Sequence, residues 1–447
     1  MGRATTTARE TIESLPPGVW RFRGLLPHVQ SESIVTLGEG GTPLLPASRL
    51  GKELGLTNLR IKDETRNPTG SFIDRGATIV VSLAKDRGIK ECGCITTGNL
   101  GASLGAYCAK AGILARIAIS PTTDMGKLYQ MLAYGAQIEA HARHKDWRPA
   151  NTHSLRVTAG NPYLLEGEKT TGFEIAQDLG WDTPDAIVVP VGTGGHLSMI
   201  WEAMVQLRAS GLIKNIRSRL VGVQFPGSAN MMSAAPVETR NGSKRSTYTE
   251  LEESEPYFIE EARRSMKESG GAGLVTSVED AVRATAVLAR TEGIFAEPAS
   301  ASVVACLEKA LRTGVFKRDD NIVCVITGAG LKDTKAVSRL SKAVKRVPLR
   351  APTDVARMQI GETKLEILQL LTQGERYGYA LWRTISMERS ITTASIYQHL
   401  EELEVLGLLR KLGTESRGGR ERVPYELTRK GSDFLRIAGE LDKGRIK

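Results

Sequence analysis

The sequence has no apolar run long enough to cross a membrane: nothing in it approaches the roughly eighteen apolar residues that a spanning helix needs. Residues 1–17 also lack the apolar core of a secretory leader. Cysteine is scarce. The five cysteines, at positions 92, 94, 108, 306 and 324, sit in apolar or small-residue runs and form no Cys-x-x-Cys pair. That spacing argues against a disulfide framework and against a zinc site, and the thiols read as reduced core residues. Together these absences lead to the expectation of a cytoplasmic protein with no metal and no membrane contact.

What is present suits a large α/β protein. The chain has 447 residues, 41% apolar and 25% charged, with 46 glycines to serve βα turns and anion-cradling loops. The net charge is +10, and it is unevenly placed. From Lys345 onward there are 19 Lys and Arg against 14 Asp and Glu, a balance of +5, so the last quarter carries half of the excess. A basic tail domain points toward nucleic acid.

From about Leu56 to Thr327 the pattern alternates between strands and helices. Ala186 to Val191 and Asn321 to Ile326 are unbroken apolar, β-branched runs that suit strands buried on both faces of a parallel sheet. Asp280 to Arg290 and Ala301 to Leu311 show helical spacing. The expected organisation is a doubly wound α/β domain over residues 1–345, a proline-bearing linker over 346–358, and a smaller domain over 359–447.

Several motifs in the first domain carry chemistry. They include Leu37-Gly38-Glu39-Gly40-Gly41-Thr42-Pro43-Leu44, Asn67-Pro68-Thr69-Gly70-Ser71-Phe72-Ile73-Asp74-Arg75-Gly76, and Thr97-Gly98-Asn99. Glu166-Gly167-Glu168-Lys169-Thr170, Phe173 to Ala176, and Glu297-Pro298-Ala299-Ser300-Ala301-Ser302 follow in order. Gly192-Thr193-Gly194-Gly195-His196 lies between a buried strand and a helical run from Leu197 to Leu207, where bare backbone N–H groups and a helix N-terminus favour an anion. Alone, such a glycine turn is more often a tight βα connection than a binding cup.

In this order the motifs resemble threonine synthases, pyridoxal-phosphate (PLP) enzymes of the tryptophan-synthase-β superfamily, over roughly residues 15–345. The resemblance implies PLP fold type II, with two doubly wound α/β subdomains built on parallel sheets. It implies cofactor contacts at Asn99, Gly192, Thr193, Gly194, Gly195, His196 and Thr327. In that family the residue after Ser-Phe is the lysine that holds PLP as a Schiff base; here it is Ile73, which has no nitrogen to react. Many relatives have asparagine where this chain has Thr193, and asparagine or histidine where it has Ala329. The expectation is therefore a pseudoenzyme pocket, without a catalytic residue, that holds PLP non-covalently if it holds it at all. Whether Ile73 is native or introduced is open. Lys62, in Ile61-Lys62-Asp63-Glu64, is the nearest lysine that could stand in; a structural charge is the commoner role for such a residue.

The last domain reads as three helices and a hairpin. Lys364 to Leu371 has helical spacing, Tyr377-Gly378-Tyr379-Ala380-Leu381 opens a second helix, and Ile396, Leu400 and Leu403 share one face of a third, capped by Thr392 or Thr393. Ser395, Tyr397 and Gln398 then face outward, toward DNA. Arg410-Lys411, a glycine-containing tip with Arg417, Arg420 and Arg422, and the returning Tyr425-Glu426-Leu427 form a basic wing. Residues 360–436 resemble the PadR-like winged-helix regulators, through Tyr-Gly-Tyr, Ser-Ile-Tyr, Glu-Glu-Leu-Glu-x-x-Gly-Leu-Leu and Tyr-Glu-Leu-Thr-x-x-Gly. The two resemblances together imply a homodimeric regulator of transcription. It would bind double-stranded DNA and sense a small molecule: PLP, an amino acid such as threonine, or phosphorylated homoserine. The alternative is a threonine synthase or related PLP-dependent lyase with an appended regulatory winged helix.

Overall fold

The computed structural model describes residues 2–96, 98–119, 123–140, 153–226, 257–333, 361–374, 377–388, 390–417, 420–432 and 434–435. Thr97 and the expected linker at 346–358 lie outside these residues, as do Gly418, Gly419 and the side chains of residues 415–422. The chain forms two compact units, Met1–Val344 and Lys345–Lys447.

The first unit begins with α1 (Gly2–Glu13), β1 (Leu44–Pro46), α2 (Ser48–Leu54), β2 (Asn58–Asp63) and α3 (Ile73–Asp86). A second group follows: β3 (Glu91–Thr96), α4 (Asn99–Ala111), β4 (Leu114–Ile119), α5 (Met125–Ala133), β5 (Gln137–Ala140) and β6 (Ser154–Arg156). Then come α6 (Pro162–Glu168), α7 (Thr170–Asp178), β7 (Ala186–Pro190), α8 (Gly195–Ala209), β8 (Arg219–Gln224), α9 (Ile259–Glu268) and β9 (Ala272–Val275). The unit closes with α10 (Val278–Glu292), α11 (Pro298–Ala305), α12 (Leu307–Arg312) and β10 (Asn321–Ile326).

Two sheets result. The larger has the order β1-β2-β10-β7-β8-β9, with β1 antiparallel and the other pairings parallel. The smaller is fully parallel, in the order β5-β4-β3-β6. The apolar runs read from the sequence become β7 and β10, and their alternate side chains enter different cores. Val188, Ile322, Cys324 and Ile326 join one cluster, while Ile187, Val189, Val323 and Val325 join the cluster on the opposite face. Cys92, Cys94, Cys108, Cys306 and Cys324 are all buried and unpaired. The stretch Ala301 to Leu311, expected as one helix, divides into α11 and α12, with Cys306 as the shared cap at φ −90°. Among the described residues, no helix is long and apolar enough to cross a membrane.

The second unit has helices over Glu362–Thr372, Gly378–Ile385 and Thr393–Val405. Thr392 caps the third, its hydroxyl accepting from the Ser395 N–H at 3.2 Å. Ile396, Leu400 and Leu403 are fully buried, together with Leu368, Leu381 and Ile385. Strands β11 (Leu409–Lys411) and β14 (Tyr425–Leu427) pair antiparallel, and a further ladder joins β12 (Glu415–Arg417) to β13 (Arg420–Arg422). The wing is thus longer than the three-residue strands alone. Gln398 is exposed, and Ser395 is half-buried within hydrogen-bond reach of His399. Tyr397 is exposed too, yet its ring lies over Gly378: a Cβ at Gly378 would come within 2.7 Å of it.

Candidate functional site

The segment that carries Ile73 is fixed by its backbone. Ser71 bridges Gly328, the Phe72 N–H donates to the Thr327 carbonyl at 3.0 Å, and the Ala329 N–H donates to the Gly70 carbonyl at 2.8 Å. Ile73 then opens α3, and its side chain packs against the core of the smaller sheet. Position 73 and Thr327 therefore lie side by side.

Asn99 opens α4 and joins the same place from the smaller sheet. Its Nδ2 donates to Glu297 Oε2 at 3.0 Å, while its Oδ1 is buried without a partner. Glu297 is itself buried and salt-bridged to Lys127 at 2.9 Å, and its N–H donates to the Gly328 carbonyl. The Thr327 hydroxyl lies 2.8 Å from that of Ser300. Lys332 donates to the Thr69 carbonyl at 2.7 Å. Burial brings its amine down to about 8, although Glu297 and Asp74 oppose the fall.

The glycine turn reaches the site through His196. Gly194 takes φ +91° just before α8, and Phe258 leaves no room beside it: a Cβ there would lie 2.4 Å from the Phe258 carbonyl oxygen. The His196 ring stacks on Phe72 at 4.1 Å with a 15° tilt, and its Nε2 lies 3.1 Å from the Thr171 hydroxyl. Burial holds this imidazole neutral, with its pKa brought down to about 3. Gly194→Ala is expected to destabilise the protein by about 1–3 kcal/mol, from the positive φ and the clash together. A thermal-denaturation midpoint equal to wild type would contradict that account of the turn.

The sequence-derived residues Ile73, Asn99, His196 and Thr327 are thus linked through Phe72, Glu297 and Gly328, and Gly192 to Gly195 form the turn that leads into His196. Their donor set fits PLP in part. A bare turn at a helix N-terminus suits a phosphate, and Asn99 and Thr327 offer polar side chains to a ring. The amine for covalent attachment is missing at position 73.

Lys62 is not free to supply it. Its Nζ donates to the Thr42 carbonyl at 2.7 Å and pairs with Glu174 and Asp178, each at 2.9 Å. It belongs to a buried ionic network centred on Arg75. There Arg75 Nε meets Glu64 at 2.6 Å, and its terminal nitrogens meet Glu174 at 2.8 and 2.7 Å. Burial alone would raise both carboxylates, but Arg75 and Lys62 hold them below the usual range.

Glu297, Lys127, Lys332 and the Phe72–His196 stack were not singled out by sequence reasoning. Glu297 lay within one of the ordered motifs, and that was the signal available for it. The stack joins residues far apart in sequence and left no local trace.

Comparison with known proteins bears on the family and the fold. Residues 35–328 match the family of pyridoxal-phosphate dependent enzymes, and residues 367–437 match the transcriptional regulator PadR-like family. The chain is 37% identical over 347 residues to a threonine synthase of Methanocaldococcus jannaschii, covering 75% of this chain and 85% of that one. It is 36% identical over 355 residues to a threonine synthase of Mycobacterium tuberculosis H37Rv, covering 77% and 96%. Among solved structures, the processed form of threonine deaminase isoform 2 from Solanum lycopersicum aligns with a TM-score of 0.56 at 18% identity, over 74% of this chain and 96% of that one. That last likeness is one of fold. The chain belongs to the pyridoxal-phosphate dependent enzyme family, as a threonine synthase-like unit followed by a PadR-like regulator domain.

Proposed function

We propose that the protein is a cytoplasmic, homodimeric, DNA-binding regulator whose threonine synthase-like unit senses a metabolite without turning it over. The observation that carries this reading is Ile73, an inert side chain at the start of α3 in a site that still holds the polar side chains of Asn99, Ser300 and Thr327. The sensed molecule is PLP held non-covalently, an amino acid, or phosphorylated homoserine. The rival is an active lyase with an appended regulatory unit. Borohydride reduction followed by intact-mass measurement separates the two. No phosphopyridoxyl adduct is expected, and an adduct on Lys62, Lys127 or Lys332 would favour the rival.

DNA binding is tested directly by fluorescence anisotropy on a palindromic duplex. A two-fold protein presents its third helices to successive major grooves, about one helical turn apart. In this reading Ser395 and Gln398 approach base edges, and Tyr397 packs on the backbone or a thymine methyl. Arg417, Arg420 and Arg422 would contact phosphates. Replacing all three arginines with alanine should weaken binding to every sequence and flatten the salt slope by about 0.9 log unit for each phosphate left without its arginine. Replacing Gln398 should instead change sequence preference. Salt-independent binding, or none with and without candidate ligands, removes the regulator reading.

A further inference from the structure

One glycine of the second unit is not explained by its own backbone. Gly378 opens the helix Gly378–Ile385, is buried, and has no positive φ, so alanine could take the same conformation. Alanine also favours a helix more than glycine does.

What excludes a side chain at position 378 is Tyr397, from the third helix Thr393–Val405. A Cβ at Gly378 would stand 2.7 Å from Tyr397 Cε1, 2.8 Å from Cζ and 3.1 Å from the hydroxyl oxygen. The phenol end of Tyr397 thus fills the space that any other residue at 378 would claim. Tyr377, the residue before, bridges Pro424, which directly precedes β14. The Tyr397 phenol therefore sits where the third helix, the second helix and the base of the wing meet. The ring is still 44% exposed, so one edge stays open to solvent.

This placement separates the two contacts open to Tyr397 on DNA. A thymine methyl lies on the floor of the major groove, within reach of side chains that project from the outer face of a reading helix. Tyr397 is folded back instead, with its far end on the neighbouring helix. Phosphates line the walls of the groove, and tyrosine hydroxyls that meet them fix the register of a protein without reading sequence.

We propose that Tyr397 is a sequence-independent anchor whose hydroxyl donates to a DNA backbone phosphate, and that Gly378 is the residue that positions it. A hydrogen bond from a hydroxyl to a charged oxygen is short and strong. Seating the ring beforehand lowers the ordering cost of making that bond. The anchor rests on the DNA-binding reading above and selects the backbone over the methyl.

The test uses the full chain and two duplexes of roughly 20 base pairs, long enough for two half-sites. The duplexes are identical except that one carries uracil in place of thymine and so lacks the C5 methyl. Wild type should bind both equally in fluorescence anisotropy. Tyr397→Phe should weaken binding to both by roughly tenfold, the loss of a hydrogen bond to a charged group. It should leave the salt slope unchanged, because no charge is removed. Gly378→Ala should cause a similar loss, and adding Tyr397→Phe to it should cost little more, since both changes remove one contact. Without DNA, iodination of Tyr397 at its Cε positions, read by peptide mass, should be faster in Gly378→Ala than in wild type. A wild-type preference for thymine that Tyr397→Ala abolishes would assign the ring to the methyl and overturn the anchor. Equal affinity of Tyr397→Phe and wild type overturns it as well, with the DNA-binding reading intact. An unchanged iodination rate in Gly378→Ala overturns the positioning role of the glycine. If wild type binds neither duplex at low salt, the DNA-binding reading falls and the anchor falls with it.

Discussion

Ile73→Lys is expected to let the protein hold PLP covalently and become coloured. The variant side chain would begin at the first residue of α3, where the positive end of the helix disfavours a second positive charge. Partial burial against the smaller-sheet core acts in the same direction, and both effects favour the neutral, reactive amine. Asn99, Thr327 and the glycine turn before α8, the groups proposed to meet the ring and phosphate, are unaltered by the substitution. After borohydride treatment, intact mass should rise from no fixed cofactor to nearly one per chain. Full turnover of phosphohomoserine is not expected from this change alone, because Thr193 and Ala329 remain. Without PLP the variant should be less stable by about 1–3 kcal/mol, the cost of a polar group in an apolar setting. A variant that folds but stays unmodified after PLP and borohydride would show that the pocket has lost more than its lysine.

The second large effect concerns Arg75. Arg75→Leu should destabilise the first unit by about 3–5 kcal/mol, because it strands buried carboxylates and does not merely delete a contact. Glu64 and Glu174 both lean on the same guanidinium, and Lys62 would remain paired with Glu174 and Asp178 but not with Glu64. The pH dependence should change sign. In wild type these carboxylates lie below the ordinary value of 4.5, so their contribution is present above that pH and is lost as pH falls. In the variant Glu64 keeps no ion pair, only the more distant charge of Lys62, and its burial should drive it upward, so protonating it should recover stability as pH drops. Between pH 7 and pH 5 the denaturant midpoint of wild type should therefore stay nearly level while that of the variant rises. A variant within about 1 kcal/mol of wild type, or one with the same pH trend, would refute the network as described.

How much of this was legible beforehand depended on the kind of interaction. The strands β7 and β10 could be read because an unbroken β-branched run has few other uses in an α/β chain. The glycine turn before α8 could be read because positive φ and close approach of Phe258 exclude side chains, and glycine records that locally. The capped third helix of the second unit was legible for the same local reason, through Thr392 and the spacing of Ile396, Leu400 and Leu403. What could not be read were pairings made by tertiary packing. Lys332 meets Thr69 across most of the first unit, and His196 meets Phe72 across the whole smaller sheet in chain order.

The main-chain bonds that lace residues 70–72 to 327–329 have a consequence for how such a protein can arise. The geometry of the entrance to α3 is held by peptide groups, which every residue type supplies. The side chain displayed at position 73 is therefore a replaceable fitting in a socket whose shape does not depend on it. An ancestor could exchange a reactive fitting for an inert one and keep the socket, its glycine turn and its charge network undisturbed. Chemistry would be lost in such an exchange while the shape of the entrance survives.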